Sequence, residues 1–152
     1  MTLKYKVTTA SIEQVYSHLK ACDGNFSPPL SSRINLLEYS RKMFEKSVSF
    51  EAWQGDVLVG MINAYLNDAS NQTGFITNVS VLKEYMGKGI AASLLEMCLE
   101  SARNLGFIRI RLEVTQENSA AIKLYSKAGF KVVDEFGENL LMERKFHRQS
   151  TQ

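Results

Sequence analysis

Val79-Ser80-Val81-Leu82-Lys83-Glu84-Tyr85-Met86-Gly87-Lys88-Gly89-Ile90-Ala91-Ala92 runs from a strand, through a turn bearing two glycines, straight into a helix. The helix is read from Ile90, Leu94, Leu95, Cys98, Ala102 and Leu105, which fall on one apolar stripe. The first N–H groups of such a helix have no carbonyl partner within it. The aligned peptide dipoles also leave about half a positive charge there. Glycine lets a backbone approach an anion with no Cβ in the way, so the stretch suits a phosphate group. The same glycines equally suit a plain strand-to-helix turn, and the stretch alone does not separate the two readings.

Periodicity and turn residues order the elements on either side. Lys4 to Thr8 reads as a short strand. Ser11 with Gln14 three residues on is a capping-box signature, and Ile12, Val15, Tyr16 and Leu19 behind it share a helical face. Asp23-Gly24-Asn25-Phe26-Ser27-Pro28-Pro29 is expected to be irregular, because paired prolines fix φ and remove two donors. Asn35 to Lys46 predicts a second helix. Val48 to Trp53 alternates with period two, turns at Gln54-Gly55-Asp56 and resumes from Val57 to Leu66, which is a hairpin pattern. Asn67 to Thr73 is a polar loop before the strand Gly74 to Leu82. Beyond the glycine-led helix come a strand from Phe107 to Val114, a helix from Asn118 to Ala128, and closing strands Lys131 to Asp134 and Leu140 to Lys145. So many sequential strands do not fit a purely doubly wound sheet. The order β-α-α-β-β-β-α-β-α-β-β predicts an α/β fold: a mixed, mostly antiparallel sheet of about seven strands with helices on both faces. No linker divides the chain, so residues 1–152 are expected to form one domain.

Composition removes several function classes. Apolar residues are 45% and charged ones 22% of 152 residues, which excludes a disordered chain. Eighteen Lys and Arg balance 16 Asp and Glu with the signs interspersed, so no clustered basic face for nucleic acid is expected. Cys22 and Cys98 stand apart with no CxxC or His cluster, and no metal site is expected. No apolar run approaches the roughly 20 residues of a membrane span, and the N-terminus does not read as a signal peptide. A cytoplasmic location is expected. The sequons at Asn71 and Asn78 carry no meaning without secretion.

Three phosphate-binding readings compete for the glycine stretch. A phosphate loop of the form GxxxxGK followed by Ser or Thr fails, because Gly89 follows Lys88 and the earlier glycine is missing. The relaxed dinucleotide pattern GxGxxG/A is met by Gly87, Gly89 and Ala92, with Glu113 downstream. However, Leu82 to Met86 separate it from its strand. The third reading is closer. The stretch resembles the acyl-CoA pyrophosphate loop [Q/R]xxGxG/A of the GNAT superfamily of N-acyltransferases, with Gly89 and Ala91 in the last two motif positions. Met86 stands where that family usually has Gln or Arg. A second segment, Asn118-Ser119-Ala120-Ala121-Ile122-Lys123-Leu124-Tyr125-Ser126-Lys127-Ala128-Gly129-Phe130, resembles the family's NxxAxxLYxxxGF.

The resemblance implies acetyl-CoA as cosubstrate, held by Met86, Gly87, Lys88, Gly89, Ile90 and Ala91, by Asn118, and by backbone groups of Val79 and Val81. It implies that Tyr125 donates a hydrogen bond to the departing thiolate, although a tyrosine there also serves as packing. A base is needed because an alkyl ammonium, with pKa of about 10.4, must lose a proton before it attacks; at pH 7 that costs roughly 4.6 kcal/mol. Glu113 is the candidate. It also alternates in phase with Arg109 and Arg111, which fits a salt-bridged face equally well. Acceptor contacts are expected from Phe26, Arg33, Tyr65 and Asn78, with Trp53 as either packing or a wall. His18 and His147 are expected at the surface. The implied activity is acetylation of a primary amine of a small molecule such as an amino sugar, polyamine or amino-acid derivative. Acetylation of a protein N-terminus or lysine, or non-catalytic acyl-CoA binding, are the alternatives. The family also allows a homodimer.

Overall fold

The computed structural model describes residues 2–26, 28–67, 70 and 72–147. Ser27 of the proline loop and Asn71 of the first sequon lie outside the described residues.

Strands β1 (Lys4–Val7), β2 (Val48–Gln54), β3 (Val57–Tyr65), β4 (Thr73–Val81), β5 (Arg109–Thr115), β6 (Lys131–Phe136) and β7 (Asn139–Lys145) form one sheet in the order β1-β2-β3-β4-β5-β7-β6. Every adjacent pair is antiparallel except β4 with β5. The exception follows from the chain: a single α-helix, α3 (Ile90–Asn104), joins β4 to β5 and returns the next strand parallel, whereas two successive α-helices between β1 and β2 leave that pair antiparallel. The expected mixed sheet and element order are both observed.

Each face of the sheet has its own core. On one face, Val15 and Leu19 of α1 (Ile12–Cys22) and Met43 of α2 (Leu36–Lys46) bury against Trp53, Leu58 and Met61. On the other, Leu94, Leu95 and Cys98 of α3 and Tyr125 of α4 (Ser119–Lys127) bury against Phe50, Ile62, Ile110 and Leu112. Full burial of each such aliphatic side chain contributes about 1.5–3 kcal/mol. The capping box of α1 forms in both directions between Ser11 and Gln14. Ahead of it, the fully buried Glu51 accepts from the amides of Thr9 and Ala10, the Thr9 hydroxyl and Trp53 Nε1. Those four donors compensate the burial of a carboxylate. They also tie the entry of α1 to the sheet and settle Trp53 as a packing residue.

The sheet is not continuous. β4 pairs with β5 only from Thr73↔Arg109 to Ile76↔Leu112, after which the two strands part. Where they part, β4 carries a bulge: Asn63 and Ala64 of β3 face Asn78 and Ile76, leaving Thr77 as the extra residue. An extra residue inverts the alternation of side chains. Ile76 lies in the core under α3 and α4, and Val79 and Val81 pack there too, whereas Asn78 and Ser80 turn to the α1 side.

Candidate active site

The parting of β4 and β5 leaves half of β4 with one edge unpaired. Leu82 N–H donates to Val59 O of β3 at 2.9 Å, so by alternation the N–H and C=O groups of Val79 and Val81 point away from β3, into the gap. Asn25 Nδ2 reaches the Val81 carbonyl at 3.3 Å, which confirms its direction and occupies that acceptor. The expected backbone contacts from Val79 and Val81 are therefore geometrically available, except at the Val81 carbonyl.

At one end of this edge lies the glycine turn. Gly87 and Gly89 adopt φ of +77° and +79°, a left-handed conformation that costs an L side chain about 1–2 kcal/mol. Gly89 is the N-cap of α3, with no side-chain cap. The N–H groups of Gly87, Lys88, Gly89, Ile90, Ala91 and Ala92 donate to no acceptor among the described residues; the first helical bond is Ser93 N–H to Gly89 O at 3.0 Å. A Cβ on Gly87 or Gly89 would meet nothing within 4 Å, so the turn is open on the side where those side chains would stand. Six unpaired N–H groups at a dipole's positive end fit a pyrophosphate. Met86 is 49% exposed and its N–H closes the preceding 3-10 turn onto Lys83 O at 3.2 Å, so its side chain is not part of this cradle's framework. The helix can sit this close to β3 because residue 60 is glycine: a Cβ there would come within 2.8 Å of Ile90 Cγ2.

The gap itself opens into a cavity of about 550 Å³. It is lined by Thr77, Asn78 and Val79 from β4, Leu112 to Thr115 from β5, Tyr125 and Asn118 from α4 and its cap, and Asn25, Phe26, Pro28, Leu30 and Arg33 from the proline loop. Tyr125 comes from the α3/α4 side of the sheet. Glu113 faces the other way from Leu112 and Val114, which are buried on that side. Because the sheet is split, both reach one space. Asn118 caps α4 by accepting from Ala121 N–H at 3.1 Å.

The two readings of Glu113 separate here. Arg109 and Arg111 both turn to Glu143 of β7, at 3.6 and 2.8 Å, and Glu113 has no ion-pair partner among the described residues. Glu113 and Glu117 against Arg33 give the cavity lining an excess of negative charge. Tyr125 is buried with its ring 5.9 Å from Phe130, and burial pushes its phenol up to about 12. Its oxygen bonds to no protein group among the described residues.

Phe26, Arg33 and Asn78 are gathered at the cavity, but Tyr65 is not. Its ring packs beside Tyr39 on the α1/α2 core, with Lys42 Nζ 5.8 Å from its centre. The residue that sequence reasoning missed is Tyr39, which lines the cavity and donates from its hydroxyl to the bulge carbonyl of Thr77 at 3.0 Å. Burial, above all, raises its pKa. The sequence placed it within the second helix but carried no signal for that reach.

His18 corrects an expectation. It is buried rather than at the surface, bonded to Leu58 O and Ser80 Oγ, both at 2.9 Å. Burial lowers its pKa against the opposing effect of those two contacts. Both cysteines are free, and burial pushes each thiol up to about 12. Among the described residues no cluster of His, Cys, Asp and Glu could hold a metal ion, and no helix is long and apolar enough to cross a membrane.

A split mixed sheet, with an unpaired strand edge leading from an anion cradle to a cavity, defines the acyl-CoA class of transferase fold. The model of the Acetyltransferase (GNAT) family matches residues 12–130, and the chain belongs to that family. It is similar to streptothricin acetyltransferase of Escherichia coli, 36% identical over 86 residues, which are 57% of this chain and 48% of that protein. It is also similar to N-alpha-acetyltransferase 30 of Schizosaccharomyces pombe, 32% identical over 84 residues, or 54% and 56% of the two chains. The chain spans about half or less of the curated relatives it matches first. Among solved structures, the PaiA N-acetyltransferase of Thermoplasma acidophilum, in complex with coenzyme A, superimposes with a TM-score of 0.75 over 96% of this chain and 100% of that one. At 20% identity, that likeness concerns the fold.

Proposed function

We propose that this protein transfers an acetyl group from acetyl-CoA to a primary amine of a small molecule, such as an amino sugar, polyamine or amino-acid derivative. The observation that carries this reading is the unpaired edge of β4, which leads from six free N–H groups into a cavity where Tyr125 and Glu113 meet. The cavity volume of about 550 Å³ lies in the range of small-molecule sites. Its two carboxylates suit a cationic amine. Phe26, Pro28 and Leu30 supply apolar wall.

The fit of the chain to acetyl-CoA rests on the cradle from Gly87 to Ala92, on the free backbone groups of Val79 and on the N–H of Val81. When bound, acetyl-CoA supplies an acyl carbon at which an N–C bond can replace the C–S bond. Glu113, free of ion pairs, takes the proton of the acceptor ammonium. Tyr125, kept protonated by burial, donates a hydrogen bond to the sulfur as it gains charge. The reading has the protein act in the cytoplasm, as a monomer or homodimer; its free, buried cysteines fit a reducing compartment.

A protein N-terminus is the second reading, favoured by the likeness to N-alpha-acetyltransferase 30. Calorimetric titration with acetyl-CoA, with NADH as control, tests the cofactor. Thiol release with spermidine, glucosamine and a short peptide as acceptors then tests the substrate. Saturable acetyl-CoA binding and faster turnover of a small amine are expected. Folded protein that ignores acetyl-CoA defeats the reading, and faster turnover of the peptide transfers it to the second one.

A further inference from the structure

A chain of buried and part-buried hydrogen bonds passes through Asn78 in the cavity wall, and both of its ends are backbone carbonyls, which can only accept. At one end, Leu58 O accepts from His18 at 2.9 Å, which places the ring proton on Nδ1 and leaves Nε2 bare. Ser80 Oγ, at 2.9 Å from Nε2 and nearer than the Cys22 thiol at 3.6 Å, gives its single proton there, because two lone pairs do not meet at that distance. Its lone pairs then face the Asn78 side chain 3.0 Å away, and only an N–H satisfies them. At the other end, Met43 O accepts the Ser47 hydroxyl at 2.6 Å. Asn63 Nδ2 therefore donates to Ser47 Oγ at 3.1 Å and to Ser49 Oγ at 2.8 Å. This turns Asn63 Oδ1 to Asn78 at 3.1 Å, again demanding an N–H. Both neighbours fix the Asn78 amide the same way round and use both its protons.

What is left is Asn78 Oδ1. It has no donor among the described residues, on a side chain 5% exposed that lines the 550 Å³ cavity. We infer that Asn78 holds the acceptor nitrogen, its carbonyl oxygen accepting an N–H of the amine, and that His18 acts through Ser80 as a positioning residue that sets this orientation. The inference rests on the acetyltransferase reading above and deepens it. An acceptor bound this way needs an N–H to give, so the site selects primary and secondary amines over quaternary ones. One N–H held by Oδ1 also leaves the nitrogen lone pair of the deprotonated amine free to attack. The bulge at Thr77 makes this available, since it turns Asn78 away from the face of Ile76.

The test uses the full chain, labelled with 13C and 15N, titrated with butylammonium and with tetramethylammonium, which has equal charge and no N–H. Butylammonium is expected to shift the Asn78 side-chain 13C and 15N signals and to bind about tenfold more tightly than tetramethylammonium. Ser80→Ala is expected to weaken butylammonium about tenfold, and Ser80→Thr, which keeps the hydroxyl, to restore it. Equal binding of the two cations, no butylammonium binding, an unmoved Asn78 signal, or full affinity in Ser80→Ala would each overturn the inference. The Asn78 signal in the unmodified protein needs no variant to fold. A parallel acetyl-CoA titration keeps the two questions apart: its failure defeats the acetyltransferase reading while leaving the ammonium result readable.

Discussion

Replacing Tyr125 by Phe removes one oxygen from the cavity and nothing else. The ring keeps its tilted contact with Phe130 at 5.9 Å, and the lost hydroxyl has no protein partner among the described residues, so the melting temperature should not fall. The effect on rate follows from the phenol's acidity. With a pKa of about 12, against roughly 8.5 for a thiol, complete proton transfer to a thiolate is uphill by about 3.5 units, or about 4.8 kcal/mol. In the proposed mechanism Tyr125 therefore acts by donating a hydrogen bond to developing charge. Such a bond contributes about 1.5–3 kcal/mol. At about 1.4 kcal/mol per factor of ten, kcat for thiol release should fall between about tenfold and about 150-fold. Because burial raises the pKa, the donor form persists as pH climbs, and Tyr125 should give no descending limb in kcat anywhere below pH 11. The assay is thiol release from acetyl-CoA with a saturating amine, from pH 6 to pH 10.5, alongside a thermal melt. A Tyr125→Phe protein that melts like the parent and keeps kcat within about twofold would refute the role.

Glu113→Gln should lower kcat by about a hundredfold at pH 7, within the usual range for a general base. The deficit should shrink as pH approaches the acceptor's own pKa, and a pH-independent deficit would argue against proton removal. Gly89→Ala forces a Cβ into φ +79°, so acetyl-CoA affinity should drop about tenfold by calorimetry; unchanged affinity would place the pyrophosphate elsewhere. Stability should depend on pH through His18. Its folded pKa lies below the 6.5 of the exposed group, so as pH falls under about 6.5 the unfolded chain takes up a proton that the folded one refuses. Urea midpoints should therefore decline from pH 7.5 to pH 5 by more in the parent than in His18→Gln, and equal declines would contradict the buried, neutral ring.

The fold was readable because its signals are local. The Ser11–Gln14 box, the Val48–Leu66 hairpin and the glycine-led helix each announce themselves within a few residues, and the strand ends shifted by one or two positions, as frayed termini do. Two motifs likewise located the cradle and Tyr125. What escaped depends on how distant strands register. His18 has the polar profile of a surface residue; only the approach of Leu58 and Ser80, 40 and 62 residues away, turns it inward. Glu113 was ambiguous because Arg109 and Arg111 share its face, and their ion-pair partner was not legible: it is Glu143 of β7, which takes both guanidinium groups. Tyr65 looked like a pocket residue beside the hairpin, yet its face belongs to the second core.

Thr77 ties these outcomes together. In a regular β4, Ile76 and Asn78 would share a face, and Asn78 would meet the apolar core under α3 and α4, where an unpaired amide costs about 1–3 kcal/mol. The extra residue moves Asn78 and Ser80 to the side where Asn63 and His18 wait for them, and returns Val79 and Val81 to that core. The bulge also lies at the point where β4 leaves β5, so the same irregularity that satisfies the polar chain stands where the backbone edge is freed. Tyr39 fastens it from the α1/α2 side through the Thr77 carbonyl. In the proposed reading, substrate orientation and cosubstrate access therefore both depend on a single register shift. A substitution that regularised β4 would disturb both together, whereas the loss of Tyr125 or Glu113 touches the chemistry alone.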